Sequence, residues 1–483
     1  MLPNDDHGSH SDQQVMATFQ YKQELRRTIR LFGSFAVAFS FISITTGIFV
    51  NYSDVLQKAG PAGFWTWPIV TVGQLLVALV FAELAGRIPL TGYSYQWVTR
   101  LAGPGWGWFT GWVAMCFLII VVPSVDHGLA DVIGHMGGFE RTSPWLKLVV
   151  CVTMMLQALI HVSGVRLANV INSVAVFTEV VGMVGLVIVF AALALYSQPS
   201  LGILFERGPS APAPYWPAFM MASLIGAYTL VGFESAANLS EETVDAERTV
   251  PKAVIGSVVV SGVVGTLFLL LTVLGIKDLT KVMESDYPLP AIIDGNLGGA
   301  VATGFFALVV ISIFACGLVI MASGSRLIYA MARDRVFVAN WLFKRVSVRT
   351  SVPVPAVLLV MALGIAAELF SESLQQLVLA ATVLPAVIYL MTVAAYVLRR
   401  HTMPVRFGTF SLGRWGTPTA VAAIIWLIVI IAILTVPEEF HRSAAVSLAL
   451  CLIGLVPYFS WIRPRILSGQ AGLGSIRDDQ PEA

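Results

Sequence analysis

Residues 215–231 run Tyr215-Trp216-Pro217 through Thr229-Leu230-Val231 and are apolar enough to enter a bilayer. The chain then reads Gly232-Phe233-Glu234-Ser235-Ala236-Ala237-Asn238. A glutamate beside a helix-weakening glycine makes a poor lipid-facing span, so this stretch predicts a helix broken in its middle. Working outward, an apolar stretch near the N-terminus has a similar weak spot at Ser43-Ile44-Thr45-Thr46-Gly47.

Composition places both stretches in a membrane protein. The chain of 483 residues is 57% hydrophobic and 12% charged, with mean hydropathy +0.80. Soluble domains carry about 25% charged residues. At roughly 20 apolar residues per span, the sequence divides into twelve spans near 31–56, 61–87, 104–126, 145–163, 168–196, 215–243, 252–276, 298–330, 353–370, 373–398, 415–436 and 443–462. The expected fold class is an all-α polytopic membrane protein. Residues 1–30 read as an N-terminal tail, 31–465 as one membrane domain and 466–483 as a C-terminal tail. About 1–20 and 466–483 are polar enough to predict disorder.

Basic residues orient the chain. With an internal N-terminus, only Lys58, Arg141, Lys147, Arg207, Lys277, Lys281 and Arg442 of the 29 Lys and Arg fall outside. The other 22, among them Lys22, Arg87, Arg166, Arg333, Arg406 and Arg477, fall inside. The positive-inside rule therefore puts both termini in the cytoplasm, in agreement with an even number of spans. Residues 1–20 contain no apolar signal-peptide core. The basic residues sit in short loops beside helix ends, which argues against a nucleic-acid partner. Cys116, Cys151, Cys316 and Cys451 all lie inside spans and read as packing residues, and no cofactor or metal site is expected.

The two weak spots open spans one and six. Five spans per half force the halves into opposite orientations, an inverted repeat, with spans eleven and twelve as accessories. Broken helices at matching positions in such a repeat point to the binding site of a secondary transporter. Ser43, Ile44, Thr45, Thr46 and Gly47 form the first part of that candidate site, with Ile44–Gly47 unwound. Val231, Gly232, Phe233, Glu234 and Ser235 form the second. A half-helix N-terminus favours an anion and a C-terminus a cation, so the pair suits a zwitterion or a cation with a polar tail. Phe233 is placed to close over a solute. Glu234 either caps N–H groups freed by the break or titrates, and a carboxylate at a new helix start favours the holding role. A bare Ser/Thr kink without ligand is the competing reading of span one.

Glu179 lies 11 residues into span five, roughly 16 Å deep at 1.5 Å per residue. A charged acid near the midplane costs on the order of 2.5–3.5 kcal/mol unless paired, so an intramembrane acid is a functional candidate. Here it is the candidate ion-coupling group. Glu83 reads as a structural ion pair or inner gate. Asp126, His127 and Asp131 read as a solvated outer loop. Gly103, Gly107 and Gly111 read as a packing ladder, and Trp65, Trp67, Trp106, Trp108 and Trp112 as span-end aromatics, Trp112 lying deepest.

Several motifs resemble one superfamily. Gly232-Phe233-Glu234 with Glu241-Glu242-Thr243 and Glu247-Arg248-Thr249-Val250-Pro251-Lys252-Ala253 is similar to the sixth-span signature of the amino acid–polyamine–organocation (APC) permeases. Ser325-Arg326-Leu327-Ile328-Tyr329-Ala330-Met331-Ala332-Arg333-Asp334 resembles their eighth-span motif. Phe81-Ala82-Glu83-Leu84 with Gly92-Tyr93-Ser94-Tyr95-Gln96-Trp97 resembles their loop after span two. Ala237-Asn238-Leu239-Ser240-Glu241-Glu242-Thr243 is most similar to the amino acid/choline transporter branch. The resemblance spans about 30–465 and implies a LeuT-like fold, alternating access and uptake driven by an ion gradient, often protons. It implies a substrate such as an amino acid, 4-aminobutyrate, choline or a related amine, and a plasma (inner) membrane location. The first break here carries one glycine where many amino acid permeases are glycine-rich. Where some relatives place a lysine in span five, this chain has Glu179. An intramembrane enzyme would need a nucleophile–base pair or metal ligands at depth, and the sequence contains neither H-E-x-x-H nor G-x-S-x-G. A transporter-like sensor is the remaining alternative class.

Overall fold

The computed structural model describes residues 16–21, 23–139, 145–208, 214–370, 374–403 and 409–472. Lys22, Arg141, Arg406 and Arg477, used above for orientation, and the ends 1–15 and 473–483 lie outside the described residues. The described chain is helical, with one isolated bridge between Ile29 and Thr243. The first half comprises α1 (Leu31–Ile42), α2 (Ile44–Ala59), α3 (Thr66–Arg87), α4 (Tyr93–Ala102), α5 (Pro104–Gly137), α6 (Trp145–Ser163) and α7 (Val165–Ser197). Next come the short helices α8 (Tyr215–Met221), α9 (Leu224–Thr229) and α10 (Ser235–Asn238), then α11 (Ala246–Leu274), α12 (Gly299–Arg333) and α13 (Val354–Phe370). The last are α14 (Leu374–Arg399), α15 (Gly416–Thr435) and α16 (His441–Ile453).

Ten helical runs among the described residues are long and apolar enough to cross a membrane. The other two predicted spans are α13, at 17 residues, and the broken run α8–α10. The chain is thus an all-α polytopic membrane protein. The broken runs α1–α2 and α8–α10 sit at the centre, packed on α3, α5, α7, α11, α12 and α14. α7 and α15 lie outward and leave Val174, Phe177, Val181, Ile188, Ile425 and Ile428 exposed. Contiguous apolar exposure of this kind is what a lipid solvent requires.

Four expectations are corrected. Span three does not stop at 126: Pro104 at the first helical position and Gly138 in the left-handed region past the end (φ 67°) bound a 34-residue α5. Asp126 therefore lies inside the helix, fully buried, and Asp131 is buried beside it. The predicted disorder over about 1–20 does not hold at 16–20, where Met16 is buried, and Tyr21, Leu25 and Ile29 after it are buried too. Thr28 N donates to Glu242 O at 2.9 Å, tying the strip to the segment that follows α10. Trp65 and Trp106 are exposed as span-end aromatics should be, but Trp67 is buried and donates to Gly262 O at 3.1 Å. Trp112 packs against α16, donating to Leu450 O at 2.9 Å. In the glycine ladder, Gly107 and Gly111 face Thr99 and Met331, whereas Gly103 turns the chain between α4 and α5.

Candidate functional site

The first break is one residue wide. Ser43 (φ 34°, ψ 91°) leaves the helical region, while Ile44–Gly47 form the first turn of α2 and are not unwound. Serine explains this: its Oγ accepts from Thr46 N at 3.4 Å, capping the new helix and satisfying a donor that the break would orphan. Upstream, Ser43 N closes the last turn of α1 on Phe39 O at 2.8 Å.

Glu179 of α7 comes to this N-terminus. Its Oε1 accepts from Thr45 Oγ1 at 2.9 Å, from Ser43 Oγ at 3.3 Å and from Thr45 N at 3.4 Å. Ser312 of α12 joins the cluster, 2.9 Å from Thr45 Oγ1 and 3.3 Å from Ser43 Oγ. The carboxylate is buried, and the donors gathered on it are neutral hydroxyls and one backbone N–H. It occupies the position where a half-helix N-terminus favours an anion.

The second break is wider. Leu230 N closes α9 on Gly226 O at 2.8 Å, and helical bonding resumes with Ser235 N on Gly232 O at 2.9 Å. Gly232 sits at φ +85°, a conformation open to glycine at little cost. Its N–H donates to the Tyr389 hydroxyl at 3.0 Å, and that hydroxyl donates to Glu234 Oε2 at 2.6 Å. Glu234 thus braces the break through a tyrosine of α14. Phe233 is fully buried, with ring centroids 5.2 Å from Tyr389 and 5.7 Å from Phe81. In this conformation it packs in an aromatic cluster. Val231 is buried beside it.

The two breaks touch. A Cβ on Gly47 would overlap Thr229, so this glycine permits the close approach of α2 and α9. A Cβ on Gly232 would overlap the Phe41 ring, and Ser235 Oγ donates to Val37 O at 3.2 Å. All ten predicted break residues therefore lie in one region, with Glu179 on the first break. Ser312 and Tyr389 complete the site and were missed, because a lone serine and a lone tyrosine in apolar runs carry no local signal. A cavity of about 850 Å³ bounded by Val37, Arg26, Arg30, Arg166, Asn172 and Arg349, among others, opens between α1 and α7 below the first break.

The motif residues assemble at the end of the bundle where residues 23–30 enter α1. Arg326 pairs with Glu242 at 2.8 Å, both buried, and Arg333 holds Glu241 through bonds of 2.8 and 3.0 Å. Asp334 accepts from Tyr95 at 2.6 Å and Tyr21 at 2.8 Å. Burial, and then the Asp334 carboxylate, push the Tyr21 hydroxyl up to about 12, so it stays a donor at neutral pH. Glu83 pairs with Arg87 and accepts from Tyr396 at 2.6 Å, which is the structural ion pair expected of it. Among the described residues no group of three or more His, Cys, Asp or Glu could hold a metal.

The molecule is a helical membrane bundle with two broken runs in contact at its centre, polar groups at both breaks and ion pairs across one end. Residues 29–457 match the family model described as amino acid permease, and the chain belongs to that family. It is similar to amino-acid permease BAT1 of Arabidopsis thaliana, 26% identical over 460 residues that cover 88% of each chain. It is similar to the BAT1 homolog of Oryza sativa, 28% identical over 459 residues, 87% of this chain and 86% of that one. The GABA-specific permease of Saccharomyces cerevisiae is 28% identical over 373 residues, 72% of this chain and 64% of that one. The superfamily resemblance read from the motifs agrees with these matches.

Proposed function

We propose that the protein is a secondary active transporter that imports an amino acid, 4-aminobutyrate or a related amine across the plasma membrane by proton symport. The membrane domain is 31–465, built as a LeuT-like inverted repeat that works by alternating access, with both termini in the cytoplasm. Relatives named for amino acids and for GABA support the substrate class. Ser43–Gly47 and Val231–Ser235 hold the solute, with an ammonium on the carbonyls that end α9.

The observation that carries the reading is Glu179 Oε1 at the N-terminus of α2. A substrate carboxylate and the Glu179 carboxylate compete for the same donors. Protonating Glu179 removes its charge and lets the substrate anion take the helix end, which couples one proton to one solute. By linkage, the proton strengthens substrate binding and the substrate strengthens proton binding by the same factor. Apparent affinity should therefore rise as pH falls.

The test is uptake into proteoliposomes of a panel of amino acids, 4-aminobutyrate, choline and polyamines, with and without an inward proton gradient. Accumulation of a carboxylate-bearing amine under the gradient supports the reading. Gradient-independent accumulation would overturn the symport. Uptake of choline alone would favour the organocation alternative, and binding without uptake would favour a sensor.

A further inference from the structure

A second group of buried polar side chains lies between α5, α6, α12 and α13. Fully buried Asp126 accepts from Gln157 Nε2 at 2.9 Å through Oδ1. Its other oxygen, Oδ2, and the Gln157 carbonyl Oε1 are both buried without a hydrogen-bond partner. Glu368 of α13 is fully buried too, and its Oε1 lies 2.9 Å from His127 Nε2. Neither Glu368 oxygen has a partner of hydrogen-bond geometry, and its charge bears on Asp126. Gly317 of α12 makes the space, since a Cβ there would overlap the Gln157 amide and the Asp126 carboxylate.

Two carboxylates with one imidazole between them do not balance as ions in a low dielectric. Two orphaned acceptors, Asp126 Oδ2 and Gln157 Oε1, lack the same thing: a donor. A proton on Asp126 Oδ2 removes the uncompensated charge and turns one of these orphaned acceptors into a donor. Other titratable groups on the helices around the cluster include thiols, a phenol, the Lys147 ammonium, and buried Asp131 and His161. Cys151 feels Glu368 and the ammonium of Lys147, and Tyr228 feels Asp126 while its hydroxyl is 2.8 Å from Ser124 Oγ. On α12, Gly317 of this cluster and Ser312 of the first break lie five residues apart, and Cys316 between them donates to Phe41 O at 3.3 Å. His127, 12% exposed, is its member nearest solvent.

We propose that Asp126, Gln157, Glu368 and His127 form a second site whose ligand is an exchangeable proton. This deepens the proton-coupled reading above, yet the protonation itself is measurable without transport. The experiment is a pH titration of purified, lipid-reconstituted protein by infrared spectroscopy, with wild type beside Asp126→Asn, Glu368→Gln and Glu179→Gln. The expected result is a carboxylic-acid carbonyl band that disappears on alkalinisation and is missing from Asp126→Asn or Glu368→Gln. A separate band should be missing from Glu179→Gln. If neither Asp126→Asn nor Glu368→Gln loses a band, the proposal is overturned, whatever Glu179 does. If wild type moves solute without protons, the symport falls and the bands still decide this site. Where a variant fails to fold, wild type is treated with a hydrophobic carbodiimide, which modifies protonated buried carboxyls, and mapped by mass spectrometry. Modification at Asp126 or Glu368 supports the site, and modification confined to other acids overturns it.

Discussion

The two breaks solve one problem in opposite ways. At Ser43 the interruption is a single residue, its cap is its own side chain, and the carboxylate beside it arrives from α7, 136 positions along the chain. At Leu230–Glu234 the interruption is several residues wide, and its carboxylate belongs to the break itself, tied to Gly232 through Tyr389. A carboxylate borrowed from another helix can let go of its donors without unravelling the break. One built into the break cannot. Under the proposed symport, that difference makes Glu179 the carboxylate free to exchange partners and Glu234 the one tied into its own break.

The comparison is broken most severely at Gly232. Any side chain there meets the Phe41 ring and must adopt φ +85°, a left-handed strain of about 1–2 kcal/mol before the overlap is counted. Gly232→Ala should abolish uptake and lower thermal stability in detergent. Adding Phe41→Ala restores space but not the dihedral, so recovery should be partial. Full recovery would show that the ring, and not the backbone, sets the break. Glu179→Gln comes next. It keeps the shape but not the charge, so driven accumulation, about tenfold per pH unit for one coupled proton, should be lost while exchange persists. The rise in apparent affinity on acidification should flatten. An unchanged pH profile with intact accumulation would remove Glu179 from the coupling.

How far these roles were legible depended on whether their cause was local. Gly232-Phe233-Glu234 announces its break because glycine and a charge interrupt an apolar run. Ser43-Ile44-Thr45-Thr46-Gly47 announced one too but blurred its place: the small polar residues suggested several unwound positions, whereas serine capping confines the break to Ser43. Glu179 was visible from its depth alone. Its donors were not, since Ser312 lies 133 positions away and becomes relevant only through the packing of α7, α1–α2 and α12. A span of about 20 residues leaves Asp126 in a loop, whereas the 34-residue α5 carries it inside the helix. Glu368, near the end of α13, went unnoticed for want of a partner nearby in sequence.

Smaller perturbations test the brace. Tyr389→Phe deletes the hydroxyl between Gly232 N and Glu234 Oε2 and leaves both buried groups short of a partner, at about 1–3 kcal/mol. Thermal unfolding should fall while the pH dependence of uptake stays that of wild type. A moved pH profile would make Glu234 a titrating group and collapse the distinction between the breaks.

The smallest effect is expected at Ser43, where two substitutions separate backbone from cap. Ser43→Ala removes the oxygen that receives Thr46 N and contacts Glu179, and keeps a Cβ at φ 34°. Loss of such a cap costs about 1 kcal/mol, whereas glycine at the same position costs only a few tenths. Ser43→Gly also relaxes the positive φ, so it should unfold close to wild type while Ser43→Ala unfolds at lower temperature. Both lack the hydroxyl on the Glu179 carboxylate and should shift the pH dependence of substrate affinity equally. If the pH profiles differ as much as the stabilities do, the geometry of the first break, and not its hydrogen bond, is what Glu179 senses.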